Sequence, residues 1–302
     1  MSDTSIRRLG RYIAGSYPPV TSTLFALAWS FGVSGLYAIV DPRGGAWRPG
    51  ADTAIAALTL ALDLLLMRIV DDIRDRDYDR ANDPARPLPR GVVAIPELLA
   101  AYLAVAVLLV ALNAGQPGAG FLIAQLVYAL AMLFTHEWLG WPSGDRLVLT
   151  LLISCPAQIL LHLYLYSRYL ARVGHGPDAW GLLALVIVLA TTTHLEAAKK
   201  IVRVPLPGER TYVRDFGLGG TVGIAMFSAL GASALLLAAI VSRWSAAGCV
   251  LLLAPLALPF SAYLRFLRPE PRWRAKYAAY YVLASFAAYA AGGLWLATSA
   301  VA

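Results

Sequence analysis

The 302-residue chain reads as an all-α, multi-pass membrane bundle, and three features of the sequence carry that reading. Hydrophobic residues make up 59% of it and charged residues only 14%, whereas soluble domains carry about 25% charged residues. Apolar stretches recur near the roughly 20-residue length that a helix needs to cross a hydrocarbon core. They are continuous rather than alternating, and Ala and Leu dominate them, which selects helices over a transmembrane barrel.

Nine spans are expected in one domain covering residues 1–302. The first, 20–40, starts too late and runs too long for a cleaved signal peptide, and its Gly32 and Gly35 suit close helix approach. The second, 51–70, runs straight into a charged segment. The third and fourth are 92–112 and 119–135; the fifth, 147–166, contains Pro156, a kink signal. The sixth and seventh are 180–198 and 219–241. The eighth, 246–266, holds Pro255 and Pro259, and the ninth is 277–300. Cys155 and Cys249 fall inside spans without metal-site or disulfide spacing, and read as small packing residues.

Arg43, Arg48, Arg168, Arg172 and Arg243 fall on one side of this topology, and every other Lys and Arg on the other. The positive-inside rule makes the richer side cytoplasmic, with the N-terminus, and puts the C-terminus outside a cell membrane. The net charge of +7 is thereby explained without nucleic acid.

Between Arg68 and Gly91 the chain places six aspartates at the mouth of the second span. If that helix continues, Asp72, Asp75 and Asp79 recur at i, i+3 and i+7, and Asp71 neighbours Asp75 at i+4, so one face carries carboxylates that repel. Two readings are open. Arg74, Arg76, Arg80, Arg86 and Arg90 neutralise the acids in a solvated loop, or the acids hold a hard cation. Mg²⁺ suits the second reading, because it is commonly held by one or two carboxylates together with substrate phosphates, while interleaved arginines grip phosphate oxygens.

The run Asp71-Asp72-x-x-Asp75-x-x-x-Asp79, followed by Pro84-x-Arg86-Pro87-Leu88-Pro89-x-Gly91, resembles the first aspartate-rich motif of the UbiA superfamily of intramembrane prenyltransferases. Nine helices with this motif after the second also match that family. The resemblance implies that Asp71, Asp72, Asp75 and Asp79 bind Mg²⁺ and, through it, an isoprenyl diphosphate. Arg86 is then a diphosphate or loop-ordering contact, and Arg68 an ion-pair partner or a phosphate ligand.

The family's second motif, after the sixth helix, departs from its usual aspartates. Here the stretch runs from His194 and Glu196 through Lys199, Lys200 and Arg203 to Glu209, Arg210, Thr211 and Tyr212. On a continuing helix Glu196, Lys199, Lys200 and Arg203 would share a face. The stretch resembles a divergent branch with a Glu-x-x-x-Lys and Thr-Tyr form of the motif. That likeness implies Glu196 as a metal carboxylate, Lys199, Lys200, Arg203 and Arg210 as diphosphate ligands, and Glu209 and Tyr212 as members of the site. The bland alternative makes the bases ordinary flanking charges.

Trp29, Tyr12, Tyr128, Phe134 and Tyr164 are candidate aromatic walls for a carbocation, or packing and interface residues. Gln125, Gln158, His162 and His194 lie in spans and line an acceptor pocket or bond between helices. Glu137, in the His136-Glu137-Trp138 loop after the fourth span, is a base or a residue that fixes the cap of the cavity, with its placement alone assigned. Three functions follow: prenyl transfer to an aromatic or other small hydrophobic acceptor; terpene cyclisation with no acceptor; or a non-catalytic transporter or scaffold. The last is disfavoured because transporters place charge near the midplane.

Overall fold

The structure, a computed structural model, describes residues 4–43 and 47–299. Its regular elements are helical: α1 (Ser5–Ser16), α2 (Pro19–Val40), α3 (Ala51–Arg74), α4 (Arg76–Asn82), α5 (Ile95–Leu112), α6 (Ala119–Leu139), α7 (Leu147–Val173), α8 (Ala179–Ala198), α9 (Val213–Ile240), α10 (Ala246–Leu253), α11 (Ala257–Phe266) and α12 (Ala275–Ser299). Among the described residues nine candidate crossings are long and apolar enough to span a membrane. They coincide with the nine expected spans. The eighth is composite, passing through α10, a 3-10 turn at Ala254–Leu256 and α11, where Pro255 removes a backbone donor. The last residue of the ninth expected span, Ala300, lies outside the described residues.

The chain divides into two compact units, one of Met1–Ser30 with Gly50–Tyr164, the other of Phe31–Pro49 with Leu165–Ala302. In the first, α3 packs against α5 and α6. Polar groups buried among these helices pair with one another, as a low-dielectric interior demands. Asn113 Nδ2 donates to Thr59 Oγ1 at 2.9 Å, and the Tyr164 hydroxyl donates to Asn113 Oδ1 at 2.8 Å. The Tyr102 hydroxyl donates to Leu126 O at 3.1 Å.

In the second unit α8 packs along α9 and against α12. His194, fully buried, holds its Nδ1 2.7 Å from Ala225 O. The end of α2 is tied down by Arg243, whose guanidinium donates to the carbonyls of Ile39, Val40 and Asp41 at 2.9–3.1 Å and to Ala239 O at 2.8 Å. Carbonyls left over at a helix C-terminus need such donors. Asp41 beside them accepts from Arg43 and from the Tyr169 hydroxyl. Burial pushes its carboxyl up, but the bonds from Arg43 outweigh that and hold it below its ordinary range.

Gly32 and Gly35 let the second unit's part of α2 lie directly on α12. A Cβ at Gly35 would sit 2.3 Å from Tyr289 O and 2.8 Å from Tyr289 C, backbone atoms that cannot step aside. Gly35→Ala should therefore lower stability by about 1–3 kcal/mol through overpacking. Thermal unfolding in detergent checks this, and an unchanged midpoint would contradict the packing.

Candidate functional site

The first aspartate-rich stretch begins in the last turn of α3, but the helix does not continue through it as expected. It ends at Arg74; Asp75 sits at φ −91°, ψ 7°, and α4 restarts at Arg76. An unbroken helix would hold a row of acids at one helix's negative end. With the break, Arg74 pairs with Asp71 at 2.9 Å and with Asp75 at 3.4 Å, while Asp72 and Asp79 turn inward, 2% and 4% exposed.

Two buried carboxylates need cationic partners, and the proline-rich tail delivers one. Asp83 O receives the Arg86 amide at 3.2 Å, Leu88 O receives the Gly91 amide at 3.0 Å, and Pro87 O receives the Val92 amide at 3.0 Å, so the segment closes into consecutive turns. Gly91 stands at φ 72°, a conformation that suits glycine. Folded this way, the tail sets Arg86 Nη1 2.6 Å from Asp79 Oδ2 and 3.6 Å from Asp72 Oδ1, and Arg86 Nε 3.1 Å from Asp83 Oδ2. Burial lifts the Asp79 carboxyl above its ordinary range, with the Arg86 charge only partly restoring it.

Asp72 has two further partners. Arg68 Nη2 lies 2.7 Å from its Oδ1, an ion pair by distance without hydrogen-bond alignment, since that oxygen has no hydrogen-bond partner among the described residues. The Tyr12 hydroxyl donates to Oδ2 at 3.0 Å. Tyr12 is thus a polar contact of the motif; burial, then the Asp72 charge, keeps its hydroxyl protonated. Around this core Arg76 pairs with Glu137 at 3.2 Å and Arg80 with Asp77 at 3.3 Å.

The first motif fits a divalent cation shared with a phosphate better than an all-protein cage. Asp71 and Asp75 keep carboxylate surface open, Asp72 Oδ1 is held in ion pairs with Arg68 and Arg86, and no group of three or more His, Cys, Asp or Glu converges among the described residues. Mg²⁺ asks for little more from protein than one or two carboxylates.

In the second unit Glu196, in the last turn of α8, pairs with Lys199 and accepts the Tyr212 hydroxyl at 3.3 Å. Burial first, then the Glu196 charge, raises the Tyr212 hydroxyl above its usual pKa and keeps it a donor. The structure brings these three together. It does not bring Arg203 to them, because α8 ends at Ala198 and the expected continuous helix is absent. The chain turns out instead: Val202 bridges Arg272, and the Arg203 amide donates to Pro271 O at 2.9 Å. The Arg203 guanidinium donates to the carbonyls of Glu270 and Arg268, each at 2.8 Å, and of Phe266, and lies over the Phe266 ring. Lys200 gives its carbonyl to Thr211 Oγ1. Glu209 pairs with Arg272 at 2.6 Å and accepts the Leu206 amide at 2.9 Å, and Arg210 is half-buried in the same loop.

Tyr128 donates to Ile153 O at 2.6 Å, Phe134 stacks on Trp138, and Trp29 faces His162. Gln125 Nε2 donates to Met67 Sδ at 3.4 Å, and Gln158 is half-buried. Two features were missed from sequence. Asp63 is fully buried within α3, with no hydrogen-bond partner for either oxygen among the described residues; a lone acid in an apolar run was the signal. The other is α1, whose signal was the alternation of Ile6, Leu9 and Ile13 with Arg7, Arg8 and Arg11 at helical spacing.

A search of solved structures finds a likeness over nearly the whole chain. The structure described as giving insight into the biosynthesis of digeranylgeranylglyceryl phosphate synthase in membranes matches with a TM-score of 0.57, covering 95% of this chain and 99% of that one, at 14% identity. No family model matches the sequence, and no curated protein matches it. The chain therefore has the fold of a synthase studied in membranes, in agreement with the all-helical architecture and the family resemblance read from its motif.

Because Arg86 serves two buried carboxylates, Arg86→Gln should cost about 1–3 kcal/mol, the toll of stranding buried polar groups. Asp79 already carries a raised pKa, so charge on it opposes folding as pH rises through the window between its unfolded and folded values. Loss of Arg86 raises the folded value further, and the destabilisation should be smaller at acidic than at neutral pH. Denaturation of both proteins at the two pH values tests this; an equal loss at both would count against the pairing.

Proposed function

We propose that the protein is a membrane prenyltransferase, residues 1–302 acting as one functional domain, which ionises an isoprenyl diphosphate and joins the prenyl group to an aromatic or other small hydrophobic acceptor. The carbon–oxygen bond breaks with its electron pair leaving on pyrophosphate. The acceptor's new bond to carbon forms as it gives up a proton. The observation that carries this reading is Arg86 of the proline-rich tail bound to Asp72 and Asp79 at the mouth of an apolar span. The fold of a structure named for a digeranylgeranylglyceryl phosphate synthase supports prenyl chemistry at that coarse level.

On this reading Asp71, Asp72, Asp75 and Asp79 would hold Mg²⁺ together with the diphosphate, and Glu196 would add a carboxylate. Mg²⁺, when bound, supplies charge neutralisation for the leaving group. Arg68 and Arg86 place fixed positive charge beside the same carboxylates, and preorganised charge of this kind stabilises a departing anion in a partly dehydrated site. Lys199, Lys200, Arg210 and Tyr212 are assigned donor roles toward pyrophosphate by the family resemblance; Arg203 orders the 266–270 segment. The active-site loops and N-terminus are taken as cytoplasmic.

A second reading, a terpene cyclase in which the same ionisation ends in ring closure, is favoured by one observation. Where the family carries aspartates, this chain carries Glu196 held by Lys199 and Tyr212. Purified protein incubated with Mg²⁺ and geranyl, farnesyl or geranylgeranyl diphosphate separates the two. Pyrophosphate release only when an aromatic acceptor is added supports transfer; cyclic hydrocarbon released without acceptor overturns it in favour of cyclisation.

Asp72→Ala and Asp75→Ala should each lower turnover by about 100-fold or more while the helical content persists. Near-normal rates in either would refute the cation assignment. Glu196→Ala asks the same of the second motif, where a rise in the Mg²⁺ needed for half-activation is expected.

A further inference from the structure

We propose that α1 is an in-plane anchor that binds anionic phospholipid headgroups through Arg7 and Arg11, at the edge of the aspartate-rich site. Its twelve residues divide at 3.6 per turn into three flanks. One faces the protein: Tyr12 donates to Asp72, Arg8 pairs with Glu97 in the first turn of α5, and Gly15 lies against Pro87. These contacts fix the level of α1, since Asp72 ends the apolar run of α3 and Glu97 begins that of α5. Both points mark the boundary between hydrocarbon and water.

The second flank carries Leu9, Ile13 and Ile6, the last 81% exposed. The third, across the helix from them, carries exposed Arg7 and Arg11, one turn apart. A helix held at the boundary with an apolar flank and an arginine flank is built to lie in the interface, its apolar side in the acyl region and its guanidiniums among headgroup phosphates. Charge complementarity selects anionic lipid over zwitterionic lipid as the occupant. A close backbone approach holds the helix down: a Cβ on Gly15 would come within 2.8 Å of the Pro87 ring. The lipid-facing and motif-facing sides therefore belong to one short rigid element.

Gly10 points outward between the other two flanks, and a side chain there meets nothing within 4 Å. A fluorophore on Gly10→Cys, in a Cys155→Ser/Cys249→Ser background, reports lipid next to α1 in nanodiscs without requiring turnover. The probes are spin-labelled phosphatidylglycerol and spin-labelled phosphatidylcholine at equal mole fraction. Two arginines predict phosphatidylglycerol enriched by about thirtyfold at low salt, with the preference collapsing at high salt and in Arg7→Gln/Arg11→Gln. Equal quenching by the two lipids overturns the proposal, as does a preference that survives in the double variant. Quenching by neither lipid, with the label open to aqueous iodide, also overturns it and places the flank in water. None of these outcomes depends on whether the protein transfers a prenyl group.

Discussion

Asp72 sets the terms for the first unit. A carboxylate 2% exposed at the end of an apolar helix loses its hydration, a cost of several kcal/mol unless positive charge and hydrogen-bond donors replace the water. Arg68 from one turn back, Arg86 from the proline-rich tail and Tyr12 from α1 supply that replacement. Each donor in turn requires local architecture. Arg86 needs the consecutive turns closed at Gly91, Tyr12 needs α1 seated against Pro87, and Asp79 needs the break at Asp75 to turn inward beside Arg86. The motif is thus a structural knot before any ligand arrives.

The same economy of charge explains why arginines cannot be counted as anion ligands by position alone. Arg243 serves the last carbonyls of α2, and Arg203 serves three carbonyls of the 266–270 segment. A guanidinium presents five donors in a planar fork and stays charged, so it satisfies several backbone acceptors at once where water is scarce. Arg203 sits at the right sequence spacing from Glu196 for a phosphate ligand, but the end of α8 at Ala198 assigns it to loop closure instead.

What was legible in the sequence followed from scale. The spans were readable because a crossing helix needs some twenty apolar residues, a signal that averages over local detail. The residues of the first motif were readable because acids at a membrane mouth are costly. The break at Asp75 was not, since Asp-Asp-x-x-Asp-x-x-x-Asp has perfect helical spacing, and the Arg86 contact that holds Asp79 inward exists only once the tail has folded back. The short amphipathic α1 was not, since three arginines ahead of a first span satisfy the positive-inside rule with or without a helix. Asp63 was not, since a single acid in a long apolar run carries no spacing that points to its partners, although its burial inside α3 is the more demanding placement.

The two motif regions differ in the sign of what they offer. In the first unit four carboxylates, two of them buried, stand among arginines, and Asp71 and Asp75 keep carboxylate surface open. In the second unit the single carboxylate of Glu196 already accepts from both Lys199 and Tyr212. A carboxylate so occupied is a poor cation ligand until its donors are drawn away, whereas a lysine and a phenol oriented by a common acceptor are ready donors for an anion. On the proposed reaction, pyrophosphate would compete with Glu196 for those donors.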